Sequence, residues 1–190
     1  SMGYKDMNEL NKARKIELSG EARNSALIAF KKQISRWGIG MPNAEPLVLD
    51  FGLGQFESIG LVESWIANEL NAGYCGKFLF VADGQTCPMH YHKHKHETFF
   101  IVHGQMKVVQ NGKELKLNKG DVLTVPPLSK HSFTGVGPAL ILELSQPCII
   151  DDNYFEDSRI PIGGNYQAHP SEPRAESGNP IEQRDSPDPE

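Results

Sequence analysis

A mainly β fold, an antiparallel barrel or sandwich with helices at its amino terminus, is what this sequence predicts. Three observations carry that expectation. From Pro42 onward, short segments rich in Val, Ile, Leu and Phe follow one another, punctuated by Gly, Pro, Asn and Asp, with no helical pattern between them. Gln110-Asn111-Gly112-Lys113 stands between two alternating segments and reads as a tight hairpin turn. Before Pro42, apolar residues recur instead at three- and four-residue spacing, the period of a helix.

The elements follow in order. Met7 and Leu10 mark a first, weakly periodic helix that Gly20 interrupts. Ser19 is placed to cap a second, in which Ala26, Leu27, Phe30, Ile34 and Trp37 share one face before Gly38 stops it. Its polar face is mixed rather than basic, so it is expected to pack on the domain rather than on a membrane. The strand segments are LVLDFGLG, VESWIANEL, KFLFVAD, ETFFIVHG, QMKVVQNGKELKL, DVLTVPP, HSFTG and ALILELS. After Gly164 the texture becomes proline-rich and acidic, the composition of a tail that cannot form a core. The chain is accordingly divided into a helical extension (1–41), a barrel (42–161) and a tail (162–190).

With 190 residues there is enough chain for one domain and its extensions. No apolar run approaches the ~18 residues of a membrane span. A net charge of −5 without a basic block argues against nucleic acid and anionic membranes as partners. Cys75, Cys87 and Cys148 are odd in number and lack framework spacing. Together with an amino terminus without the apolar core of a secretory signal, they point to reduced thiols in a cytoplasmic protein. Apolar residues on both faces of several strands, with the extra helices, point to a homodimer.

The stretch HYHKHKHE, residues 90–97, raises the question of function. On one uninterrupted strand the four histidines would share a face and Glu97 would point away from them. The chain must therefore turn between His92 and Glu97 if these side chains are to meet. Gly84, His90, His92, Glu97 and Gly104 stand as G-x5-H-x-H-x4-E-x6-G, and Gly120, Pro126 and His131 as G-x5-P-x4-H. This pairing resembles the two-part signature of the cupin superfamily, a double-stranded β-helix or jelly-roll barrel. It departs from that signature at Leu128, where glycine is usual, and at Gly135, where asparagine is usual. On this reading residues 93–96 form a crossing, and His90, His92, Glu97 and His131 face one interior. Three neutral imidazoles and a carboxylate suit a divalent first-row metal and leave positions for substrate or water. A closed structural zinc site would more often use cysteine. His94 and His96 fall in the crossing and are expected at the surface. His103 shares the strand parity of Glu97, so it either lines the cavity or is a hydrogen-bonded turn residue; His169, in the tail, receives no role.

Two further charges interrupt apolar strands: Lys77 in GKFLFVAD and Glu143 in ALILELS. Each is either functional or, respectively, a strand-end residue reaching solvent and a buried structural ion pair. The run GYCGKFLFVADGQTCPMHYH, the following ETF, PP…KHSF, FGLG at 51–54 and the ending EL…EDSRIP together resemble the D-lyxose isomerase family, over about residues 48–161. Some members of that family have a longer loop between the second histidine and the glutamate; this chain has the short form. The resemblance implies a metal-dependent aldose–ketose isomerase, interconverting D-lyxose and D-xylulose and also D-mannose and D-fructose through an enediolate. It further implies manganese (with Zn2+, Fe2+, Co2+ or Ni2+ as alternatives) on His90, His92, Glu97 and His131. Lys77 and Glu143 fall at substrate positions of the family, and Asp157 and Arg159 match a carboxy-terminal D-x-R-I element near its site. Glu143 is the first choice for the proton-moving base, with Lys77 donating to a sugar oxygen and Asp157 and Arg159 anchoring distal hydroxyls. Two rivals stand beside this: an iron-dependent cupin dioxygenase and a non-catalytic sugar-binding cupin.

Overall fold

The computed structural model describes residues 4–166; the rest of the acidic tail, with His169, lies outside them. Two helices open the chain, α1 (Tyr4–Ala13) and α2 (Gly20–Trp37), joined by a 3-10 turn at Arg14–Ile16. Ser19 stands at the N-cap of α2, but its hydroxyl makes no capping hydrogen bond. Instead Arg23, in the first turns, ties the helix start to Glu17 (3.2 Å) and Glu45 (3.1 Å). Gly38 closes α2 in the left-handed region, its N–H reaching back to Ile34 and Ser35.

Eleven strands follow among the described residues: β1 (Leu47–Leu49), β2 (Leu61–Glu69), β3 (Tyr74–Val81), β4 (Thr86–Tyr91), β5 (Glu97–His103), β6 (Gln105–Gln110), β7 (Lys113–Asn118), β8 (Val122–Val125), β9 (His131–Gly135), β10 (Ala139–Ser145) and β11 (Tyr154–Phe155). They form two antiparallel sheets, ordered β1-β2-β3-β10-β5-β8 and β11-β4-β9-β6-β7. This is the jelly-roll barrel of a cupin. The β6–β7 hairpin turns at Asn111 and Gly112 with both φ angles positive, as an Asn-Gly turn requires. Phe51–Gly54 forms turns rather than extending β1, and β4 and β11 are strands that apolar texture alone does not mark.

Between the sheets lies the main core, with Val81, Cys87, Phe99, Ile101, Met106, Phe133 and Ile141 facing inward; Ala13 and Ile16 of the helical segment join it. A second cluster forms on the outer face of the six-stranded sheet, where Leu27, Phe30 and Ile34 of α2 cover Val48, Val62, Phe80 and Leu140. Phe30 and Phe80 meet edge to face at 5.2 Å. Among the described residues no helix is long and apolar enough to cross a membrane.

One irregularity aims the site. Along β4, Cys87 pairs with Phe133 and His90 with His131, so β4 carries one residue more than β9 over that interval. The extra residue is a bulge at Pro88–Met89, and it makes Cys87 and His90, three apart, face the same interior.

Candidate metal centre

His90 is the last but one residue of β4, His92 lies just beyond the strand, His131 opens β9 directly opposite His90, and Glu97 opens β5. All four are buried. One ring nitrogen from each of His90, His92 and His131 lies within 4.8 Å of the others. Glu97 Oε2 is 2.9 Å from His92 Nε2 and 3.2 Å from His131 Nε2.

The other ring nitrogen of each histidine is already held. His90 Nδ1 meets the Pro88 carbonyl at 2.9 Å, His92 Nδ1 that of Asp152 at 3.2 Å, and His131 Nδ1 that of Ser129 at 2.8 Å. A carbonyl can only accept, so each Nδ1 carries a proton, and in a neutral ring Nε2 is then the nitrogen with a lone pair turned inward. Burial pushes the His90 and His92 imidazoles below the usual histidine range, so these rings are neutral. Burial would push the Glu97 carboxyl up, but the Lys95 ammonium 3.4 Å away works against it, and the carboxyl lies well below the usual range. The outcome is acceptor against acceptor: His92 Nε2, His131 Nε2 and Glu97 Oε2 are buried, converge, and make no well-formed hydrogen bond. Such a set is stable only with a cation between its members. Three imidazoles anchored from behind and one carboxylate fit a divalent metal.

Lys77 and Glu143 are register partners on β3 and β10, and both point into the barrel. Lys77 is therefore mid-strand and buried rather than at a solvent-reaching strand end. Its Nζ lies 3.1 Å from Cys148 Sγ, 3.5 Å from Glu63 Oε1 and 4.3 Å from the centre of the Trp65 ring. Burial alone would push its ammonium down; Cys148, Glu63 and Glu143 outweigh that and hold it well above the usual value. Glu143 Oε2 accepts from Lys95 Nζ at 3.1 Å and from Ser145 Oγ at 2.8 Å. Lys95 also sits 3.4 Å from Glu97 Oε1, so one buried ammonium joins Glu143 to the histidine cluster. A cavity of about 60 Å³ runs beside His90 and Lys77, walled by Glu63, Ala13, Ile16 and Phe155 among others. That is room for a few waters. Burial pushes the thiols up, Cys75 to about 12, which leaves them protonated and poor as metal ligands or nucleophiles.

Known proteins bear on this site in three ways. A family described as D-lyxose isomerase matches residues 47–104, and one described as Cupin domain matches 78–145. The D-lyxose/D-mannose isomerase of Thermosediminibacter oceani is 30% identical over 141 residues, which cover 60% of this chain and 77% of that protein. This chain belongs to the D-lyxose isomerase family. The quercetin 2,3-dioxygenase of Bacillus subtilis is 31% identical over 145 residues, but these cover 70% of this chain and only 40% of that protein. In fold, the chain is similar to the L-ribose isomerase of Cellulomonas parahominis solved with L-ribose, with a TM-score of 0.62 at 16% identity, covering 76% of this chain and 95% of that one.

In this D-lyxose isomerase family member the remaining expectations fall out unevenly. Asp157 and Arg159 bind each other at the surface, Arg159 Nη2 to Asp157 Oδ2 at 2.7 Å, and neither lines the cavity. The Arg159 guanidinium holds the Asp157 carboxyl down at about 2. His94 and His96 are exposed. His103 leaves the cavity for the face covered by α2, where it stacks on Trp37 at 4.5 Å. A bulge at Val102 is responsible: Ile101 pairs with Ile141 but His103 with Leu140, so strand parity is lost one residue too early. Three residues with close contacts to the site were not anticipated. Glu63 interrupts the apolar run VESWI as Glu143 interrupts ALILELS, so the same signal marks it. Lys95 has the parity of Glu97 but reads as one more solvated charge in HKHKH. Asp152 has no signal at all.

Proposed function

We propose that this chain interconverts an aldose and its ketose by proton transfer through an enediolate, D-lyxose with D-xylulose first and D-mannose with D-fructose second. The metal is manganese on His90, His92, Glu97 and His131, where a divalent ion supplies a Lewis acid to the sugar carbonyl and stabilises oxyanion charge. Glu143 takes the proton from C2 and returns it to C1. Its Oε2 is held by Lys95 and Ser145, which fixes the carboxylate in place. Lys77, facing Glu143 across the strand pair, donates to a sugar oxygen and balances negative charge. The apolar walls from Ile16, Phe155 and Ile162 keep bulk water from the enediolate. We assign Asp157 and Arg159 to the distal end of the sugar, on the matched D-x-R-I element alone. We take the working form to be a homodimer; three buried, unpaired thiols support a reducing compartment such as the cytoplasm.

The observation that carries this reading is the inward Lys77–Glu143 pair, whose lysine lines the same cavity as His90, in a chain of this family. An alternative, an iron-dependent dioxygenase, draws support from the 31% identical relative. Aldoses and ketoses offered to the manganese-loaded protein, with products separated by chromatography, decide between them. Isomerised sugar without oxygen uptake is expected; oxygen consumption with the sugars unchanged moves the protein to the second reading. Glu143→Gln is nearly isosteric and should keep its metal while losing about 10²–10⁴-fold in turnover. An unchanged rate would transfer the role of base to another carboxylate.

A further inference from the structure

The segment from His92 to His96 makes the turn on which the metal centre depends, yet it contains neither glycine nor proline. None of its residues has positive φ. Something else must fix its shape. Three successive backbone N–H groups in the turn point at one side chain: Lys93 N–H donates to Asp152 Oδ1 at 2.9 Å, His94 N–H to both oxygens at 3.2 Å, and Lys95 N–H to Oδ2 at 3.0 Å. Successive N–H groups of this kind form a concavity that selects an anion, and here the anion is a buried carboxylate from 57–59 residues away in the chain. The same residue's backbone carbonyl accepts from His92 Nδ1 at 3.2 Å.

We propose that Asp152 is a positioning residue for the metal centre: it sets the His92-to-Glu97 turn and, through it, the aim of His92, Lys95 and Glu97. The inference rests on the metal-binding reading above and goes beyond it, since Asp152 has no place in any ligand or substrate set. With its side chain it folds the turn so that Lys95 comes back inward to Glu97 and Glu143. With its main chain it fixes which nitrogen of His92 carries the proton. Two residues close the other side of the turn: Leu128, whose N–H donates to the His92 carbonyl at 2.7 Å, and Gln146, whose Oε1 accepts from His96 N–H at 2.9 Å and whose N–H donates to the His96 carbonyl at 3.1 Å. Neither bears on residues 93–95, where Asp152 acts.

Asp152→Asn tests this in the full-length chain, because it keeps the volume while turning one accepting oxygen into an NH2 that cannot accept. Manganese is titrated into metal-free wild type and variant by calorimetry, well below either melting temperature. The expected result is a dissociation constant raised about 10–100-fold, as for other partners behind a ligand. Amide hydrogen exchange should quicken at residues 93–95 and stay unchanged in β9. A lower melting temperature with an unchanged dissociation constant is what a merely structural role gives, and it overturns the proposal. If the variant does not fold, wild type alone decides: amides 93–95 should exchange slowly without metal, and fast exchange overturns the proposal. Wild type that binds no manganese overturns the metal reading and this inference with it. Weaker manganese binding by the variant supports the inference even where no aldose is turned over, so the two readings fail separately.

Discussion

Leu128 holds a backbone conformation usually left to glycine, with φ at 69°, and its side chain is 65% exposed. A left-handed non-glycine residue costs about 1–2 kcal/mol. Glycine would relieve that strain but give back about 0.5–1 kcal/mol in unfolded-state entropy. Leu128→Gly should therefore leave stability unchanged or raise it by up to about 1.5 kcal/mol, read as a denaturant midpoint at constant slope. A loss larger than that would mean the leucine packs on something. The turn itself survives the departure from the family pattern because the Leu128 N–H keeps its bond to the His92 carbonyl. At the same scale, His131→Ala should abolish stoichiometric metal by elemental analysis, while His94→Ala, a change at an exposed side chain, should bind as wild type does. Equal metal in both proteins would defeat the ligand assignment.

Among the elements, α2 and the histidine strands answer to different clusters. Phe30 is buried against Phe80 on the outer sheet face, away from the cavity, in a cluster that shares no residue with the one holding Cys87 and Phe133. Phe30→Ala should cost about 3–5 kcal/mol in a denaturant melt while manganese affinity stays within error. A parallel fall in affinity would show that the helix supports the site. The 3.6-residue pattern made α2 legible because one apolar stripe on one helix is a local property. Strand parity was legible for Glu97 for the same reason, and it failed at His103, where the bulge at Val102 shifts the face. It would also have failed across Cys87 and His90 had the glycine and proline spacing not fixed the histidines independently. A bulge follows from how two strands pair, so neither strand's own sequence announces it.

For the whole molecule, the outer face of the six-stranded sheet beyond α2 is the surface with consequences. Phe78, Leu142, Phe100 and Val122 stand in one register row across β3, β10, β5 and β8, with Ile66 and Leu144 alongside. Val122 is 62% exposed, and Ile66 and Leu144 are about as open. A continuous apolar face of this kind marks an interaction surface, and a two-fold copy of itself is its simplest complement. Light scattering should return twice the mass of one chain at micromolar protein, and Phe100→Glu should return the single-chain mass with metal still bound. A wild type at single-chain mass would count against the homodimer.

The sequence by itself determined the alternation of strands, the amphipathic α2, the Asn-Gly hairpin and the spacing that brings three histidines and Glu97 to one end of the barrel. These depend on residues near one another in the chain, where periodicity and turn chemistry act. Tertiary structure alone decided that Lys95 turns inward to join two carboxylates, that Glu63 stands beside Lys77, and that Asp157 and Arg159 spend their charge on each other. It alone gave the crossing its clamp in Asp152. Each of these is a pairing of charges or hydrogen-bonding groups set by which elements happen to lie side by side. A buried charge takes whatever partner the fold brings within about 3 Å, and nothing in its own neighbourhood of sequence names that partner.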